Sequence, residues 1–311
     1  MIKIIGFSYQ NDAVAMKIEI KKIIVTTAIS SASGLAFAEN KIWIAGDDAA
    51  YVVKSALDGT EFDRIKLYEN ASEQRLPKPV KHDLESCVLG EVEGKQYLFL
   101  FGSGSLSQYR DSLFILNIKN TKLCLKRSMA HLYNSIRKKA SLKENELNLE
   151  GAAFAGDKLL LFNRGKNFIV SMSWKKFALY AMNELVNDIP AFTIINIELP
   201  VVNGYQIGFS GACALNENEL LFTATLEETS DAINDGPVKG SYIGLLNLKS
   251  NTAAHVVSLT QIKSANGNIL TDKLEAIETI KITGKNISAI AVADNDDGES
   301  KLFYLTINLS E

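Results

Sequence analysis

Cysteine is nearly absent: the 311-residue chain holds only Cys87, Cys124 and Cys213. They are widely spaced and form no Cys-x-x-Cys pair, which argues against a zinc knuckle or a disulfide framework. Cys87 and Cys213 sit in apolar, strand-like runs and read as buried free thiols of a reducing compartment. Proline is equally scarce, with 5 residues, glycine numbers 20, and no low-complexity run occurs. Extended disorder beyond a short N-terminal stretch is not expected. No run of eighteen apolar residues exists, so no membrane-spanning helix is expected. The N-terminal apolar run is broken by Ser8, Gln10, Asn11 and Asp12 and makes a poor signal peptide, so the expected location is cytoplasmic. Basic residues are not in excess: the net charge is −3, which gives no electrostatic case for nucleic acid or an anionic membrane as partner. No Gly-x-Ser-x-Gly elbow, P-loop or His-Glu-x-x-His is present.

What the chain does have is internal repetition. Five segments open with Ser or Glu, continue with a small residue and then turn apolar: Ser33-Gly34-Leu35, Glu85-Ser86-Cys87, Glu150-Gly151-Ala152, Ser210-Gly211-Ala212 and Glu275-Ala276-Ile277. Each is followed by a polar turn and a second apolar run, such as Lys41–Ala45 or Lys158–Phe162, and then by further short runs. Their length and their β-branched and aromatic content mark strands rather than helices. The openings recur about every 60 residues, enough for a four-stranded blade plus insertions. The pattern predicts an all-β, five-bladed propeller spanning residues 1–311 as one domain. Six blades, or a pair of β-sandwiches, are the alternatives. The last repeat lacks a fourth strand and the N-terminal run Lys17–Val25 lacks a partner, so that run is expected to close the ring. Met129–Leu142 and Trp174–Val186 carry helix formers at three-to-four spacing and read as helical decorations.

In a propeller the first strand of every blade lines the axis. Ser33, Glu85, Glu150, Ser210 and Glu275 should therefore converge. Three carboxylates that meet cannot all stay ionised without a proton or a cation among them. Hard oxygen donors suit Ca²⁺, with these five residues as its candidate ligands. The plain alternative is a solvated set of carboxylates at the mouth of a channel. Residues just after the second strands should encircle the same point: Asp47, Asp48, Ser103, Ser105, Asn163, Arg164, Thr225, Glu227, Asp294, Asn295 and Asp296. A cation beside an arginine suits a small anionic ligand; the same residue types also serve simply as turn formers. Glu150 at the ion, Arg164 as the stabiliser of negative charge and His82 as a general base are the candidate catalytic groups.

These residues resemble the calcium-activated nucleotidases (apyrases), five-bladed propellers with axial Ca²⁺. The likeness rests on Ile44-Ala45-Gly46-Asp47-Asp48, Glu150-Gly151-Ala152-Ala153-Phe154, Gly208-Phe209-Ser210-Gly211 and Ala224-Thr225-Leu226-Glu227-Glu228. The Glu150 repeat, ending Asn163-Arg164-Gly165, is also similar to the esterase-like phytase and lactonase-type propellers. The chain departs from the apyrase pattern at Ala49, where an arginine follows the paired aspartates, and at Ser86, where an aromatic residue follows the glutamate. The resemblance implies the axial ion more directly than it implies a nucleotide. Two functions follow as expectations: a Ca²⁺-dependent hydrolase of a phosphate ester, phosphoanhydride or lactone, or a non-catalytic ligand- or protein-binding propeller with a structural ion.

Overall fold

The computed structural model describes residues 14–71, 75–106, 108–228, 236–250, 252–295 and 298–310. The polar break at Ser8–Asp12 and the rim candidate Asp296 lie outside the described residues. The chain opens on β1 (Ala15–Thr26) and then builds four sheets in succession. The first is β2 (Ala32–Ala38), β3 (Lys41–Gly46), β4 (Tyr51–Ala56) and β5 (Phe62–Lys66). The second is β6 (Leu84–Val92), β7 (Lys95–Gly102), β8 (Ser112–Asn117) and β9 (Lys122–Ser128). After α1 (Ala130–Lys139) comes the third: β10 (Leu149–Ala155), β11 (Lys158–Asn163), β12 (Phe168–Ser173), then α2 (Trp174–Met182) and β13 (Phe192–Asn196). The fourth holds β14 (Val201–Val202), β15 (Tyr205–Ala214), β16 (Glu219–Glu227), β17 (Val238–Ser250) and β18 (Ala253–Gln261). The chain ends with β19 (Leu274–Thr283), β20 (Asn286–Asp294) and β21 (Ser300–Ser310).

These last three strands are completed by β1, in the order β1-β21-β20-β19. The pairing is antiparallel and runs from Ala15 opposite Ser310 to Thr26 opposite Ser300. The ring is thus closed by the N-terminal strand, and the edge of β21 is covered. The five sheets are the five blades of a β-propeller, and neither six blades nor a sandwich pair is formed.

The core is divided as a closed ring requires. Five apolar clusters fill five seams, one between each pair of neighbouring blades. In the closing seam Leu35, Ile42 and Ile44 of the first blade meet Ile290, Val292 and Leu302 of the last. Inner strands are covered on both faces, which explains their continuous apolar runs. Each fully buried Leu, Ile or Phe in such a seam contributes roughly 1.5–3 kcal/mol.

Both helices belong to one seam, between the second and third blades, and their burial goes beyond decoration. Leu132, Tyr133 and Ile136 of α1 and Trp174, Phe177 and Ala181 of α2 are core residues there. The Trp174 ring stands edge-on to Phe99 at 4.9 Å and donates its indole N–H to the Glu91 carbonyl. The helices are shorter than their sequence pattern suggests. Asn183 is extended and its side chain accepts the Leu185 N–H, which ends α2. No helix among the described residues is long and apolar enough to cross a membrane.

One irregularity recurs in every blade. The ladder between the first and second strands skips a residue between Ala32 and Gly34, Leu84 and Ser86, Leu149 and Gly151, Phe209 and Gly211, and Leu274 and Ala276. The skipped residues are Ser33, Glu85, Glu150, Ser210 and Glu275. Each is the extra residue of a β-bulge, the device by which a strand releases one side chain from the pleat and re-aims it.

Candidate functional site at the propeller axis

The bulges point inward. Ser33, Glu85, Glu150 and Glu275 line one polar cavity of about 90 Å³, together with Asp47, Asp83, Ser105, Asn148, Asp294, Lys78, Lys81, Arg110 and Lys273. Ser210 belongs to the same tier but does not line the cavity; it is buried and donates its hydroxyl to the Leu274 carbonyl at 2.6 Å. Ser33 donates to the Ser31 carbonyl at 3.1 Å. The small residue after each opening leaves room for the next blade. A Cβ on Gly211 would stand 2.6 Å from the Glu275 carbonyl oxygen, far inside contact distance.

The carboxylates are organised into two chains of alternating charge. In the first, Lys81 contacts Asp47 and stands 2.7 Å from Asp83, whose other oxygen is 3.0 Å from Arg110. Asp83 also accepts from Ser103 and, at 3.1 Å, from Ser105. Its backbone takes the left-handed conformation, φ 55°, which aspartate tolerates better than most residues. In the second chain, Arg164 lies 3.3 Å from Glu150 and 2.8 Å from both Glu227 and the Thr225 hydroxyl. Lys273 then joins Glu227 at 3.3 Å to Glu275 at 3.1 Å. Gly208 makes the Arg164 crossing feasible, since a Cβ there would come within 2.8 Å of its Cγ.

Glu85 stands apart from both chains. No ion pair or hydrogen bond to its carboxylate is formed among the described residues, and the group faces the cavity. Asp47, Asp83 and Glu85 each offer an oxygen within 4.8 Å of the others. Asp83 has donors on both oxygens, but among the described residues Asp47 Oδ1 is buried without a hydrogen-bond partner. Burial pushes the Glu85 carboxyl well above its usual range, and Asp83, Asp47 and Glu150 push the same way against Lys81. Burial likewise raises Asp47 and lifts Glu275 to about 8 against the pull of Lys273. For Lys81 burial opposes the charge, yet Asp83 and Asp47 prevail and hold it firmly protonated.

The remaining sequence candidates are dispersed around this centre. Asp294 lines the cavity. Asp48 is turned away from it, accepting from Ser31 at 2.7 Å and pairing with Arg75. Ser103 lies behind Asp83, while Asn163 holds a turn by donating to the Arg164 and Lys166 carbonyls. Arg164 lies behind the cavity wall, bound to Glu150 and Glu227. His82 is packed into the blade interior, edge-on to Phe114 at 4.9 Å, and does not line the cavity. Burial lowers its pKa, with Lys126 adding to the effect.

The sequence reading passed over Lys78, Lys81, Asp83, Asn148 and Lys273. For Asp83, Asn148 and Lys273 a signal was present: two residues before each opening stand Ser31, Asp83, Asn148, Gly208 and Lys273, polar in four blades and glycine where Arg164 crosses.

The chain belongs to a family of unknown function, DUF6929, whose model matches residues 28–307. No curated protein matches it in sequence. Among solved structures it is similar to the major Malassezia sympodialis allergen Mala s 1, at 12% identity over 92% of this chain and 96% of that one, with a TM-score of 0.53. Myxococcus xanthus glutaminyl cyclase matches at 11% identity over 94% and 97% of the two chains, TM-score 0.44. Virginiamycin B lyase from Staphylococcus aureus matches at 12% over 95% and 100%, TM-score 0.40. At these identities the likeness concerns the fold, and the neighbours' functions differ from one another.

Proposed function

We propose that the axial cavity binds a divalent cation, Ca²⁺, beside the anionic group of a small substrate, and that the protein hydrolyses a phosphate ester, phosphoanhydride or lactone. The observation that carries this reading is spare acceptor capacity. Among the described residues Asp47 Oδ1 is buried without a partner, and Glu85 faces the cavity unpaired beside it. Both belong to a carboxylate group spanning no more than 4.8 Å. Ligands on opposite sides of a Ca²⁺ ion lie up to about 5 Å apart, so the spacing fits, as does an all-oxygen donor set. Lys81 and Arg110 already offset two of the three charges, and the third, on Glu85, is what a bound cation would neutralise. The likeness of the repeat openings to the apyrases supports the same ion.

When bound, the ion would polarise a substrate oxygen. The chain's own cations do the rest of the binding. Lys78, Arg110 and Lys273 line the cavity and attract an anionic group. Glu150 is held in orientation by Asn148, which donates at 2.6 Å, and by Arg164 at 3.3 Å. In that orientation its carboxylate receives a proton from the attacking water as the water oxygen bonds to the phosphorus or acyl carbon and the bond to the leaving oxygen breaks, the leaving oxygen taking its proton from solvent water. Arg164 acts through Glu150 and is a positioning residue.

The test is a calorimetric Ca²⁺ titration of the protein and of Glu85→Gln, with turnover measured on nucleotides, phosphate esters and lactones. The expected result is Ca²⁺ binding weakened at least ~100-fold by Glu85→Gln in a folded protein, and Ca²⁺-dependent turnover of one class that Glu150→Gln abolishes. No binding heat and no effect of Ca²⁺ on turnover overturn the reading.

A further inference from the structure

A second cavity adjoins the axial one. It measures about 390 Å³ and is lined from the fourth and fifth blades and the connection between them, by Pro237, Val238, Thr271, Asp272, Asn295 and Lys301. Lys273 and Asp294 line both cavities and form the wall they share. The two differ in size and in character. The axial cavity, at about 90 Å³, has less than a quarter of the volume of the side chamber and suits a small charged head. The side chamber is within the ~300–1,000 Å³ range of small-molecule sites.

Its chemistry is that of a neutral, hydroxylated group. Asp272 and Lys301 pair at 2.5 Å, and Lys273 and Asp294 add one charge of each sign, so among the described residues the charges of the lining offset one another. Asn295 donates to Asp272 at 2.8 Å and caps the Lys273 N–H through its carbonyl oxygen, which fixes its amide plane. Pro237 and Val238, at the entry to β17, add apolar surface to the lining of the chamber. A ring with one apolar face and hydroxyls at its edge suits this combination, whereas a second charged group does not.

We infer that the substrate is bipartite: a phosphate monoester whose head occupies the axial cavity and whose alcohol part, a hydroxylated ring of monosaccharide size, lies in the side chamber. This rests on the reading of the axial cavity as an anion site. It narrows the substrate to sugar phosphates and assigns their recognition to Thr271, Asn295 and Val238.

The experiment titrates inorganic phosphate and ribose 5-phosphate into the Ca²⁺-loaded protein. Two variants, Thr271→Trp and Val238→Trp, are measured beside it. Thr271 is exposed, so a tryptophan there fills the chamber without burdening the core. Ribose 5-phosphate is expected to bind at least tenfold more tightly than phosphate. Each tryptophan should remove that advantage while leaving phosphate affinity within twofold. Equal affinities for the two probes, or a tryptophan that weakens both alike or neither, overturn the bipartite substrate while the axial reading stands. Absence of phosphate binding altogether overturns the axial reading, and this inference with it.

Discussion

The ammonium of Lys81 stands 2.7 Å from Asp83 and also contacts Asp47, so one lysine from the lead-in to β6 ties the first blade to the second. Its side chain is only 15% exposed, and two partly buried carboxylates depend on it. Breaking a buried pair by removing one partner costs roughly 3–5 kcal/mol, because the other charge is left uncompensated. Lys81→Met is therefore expected to lose about that much stability in chelator, by denaturant unfolding. On the proposed Ca²⁺ reading, added ion should restore much of it by mass action, the cation taking the place of the lost ammonium. Equal loss with and without Ca²⁺ would separate the ion from this cluster.

The raised carboxyls make a signed prediction about pH. Glu275 has a folded-state pKa of about 8 and Glu278, half-buried in β19, about 7, against an ordinary 4.5, and Glu85 is raised as well. Between these values the native state holds protons that the unfolded chain has released, so stability falls as pH rises. The penalty is absent below about 4.5 and complete above about 8. In chelator the melting temperature should drop from pH 5 to pH 8. Ca²⁺ should stabilise more at pH 8 than at pH 5, because it competes with those protons. A melting temperature that rises across this window in chelator contradicts the assignment.

Closure of the ring depends on β1. A chain beginning at Thr27 exposes the edge of β21 from Ser300 to Ser310, eleven residues of open ladder. Such an edge templates pairing with other chains. The truncated protein should aggregate or elute as higher oligomers in size-exclusion chromatography. Addition of the missing strand as a peptide should recover some monomer.

Close approach of the blades at the axis is testable at Gly211. Its added Cβ would meet the Glu275 carbonyl at 2.6 Å and Ala276 Cα at 2.7 Å, both rigid backbone atoms. Gly211→Val should cost at least ~1–3 kcal/mol in denaturant unfolding, the usual penalty for overpacking. Gly165→Ala, where nothing lies within 4 Å but φ is +84°, should cost about 1 kcal/mol through backbone strain alone.

The amino-acid sequence by itself determined the repeat, and with it the fold. A Ser or Glu opening, a small residue and an apolar run recur five times, and an unpartnered N-terminal strand beside a last repeat that lacks its fourth leaves one economical way to close the ring. Periodicity is a local property and survives in one dimension. The convergence of Ser33, Glu85, Glu150 and Glu275 on one cavity followed from that circular arrangement. Only the tertiary structure decided what those side chains do once they meet. The five bulges that free them are visible only in the pairing register between strands. Lys81 reaches Asp47, and Arg164 and Lys273 reach Glu227, from a neighbouring blade, while Arg110 reaches Asp83 across 27 residues; compensation between charges distant along the chain leaves no periodic trace. The sequence placed three glutamates at the axis, and the folded ring paired Glu150 and Glu275 and left Glu85 facing the cavity. His82 shows the same limit in reverse: its place three residues before Glu85 suggests the channel mouth, but the turn at Asp83 sends its ring into the apolar seam against Phe114.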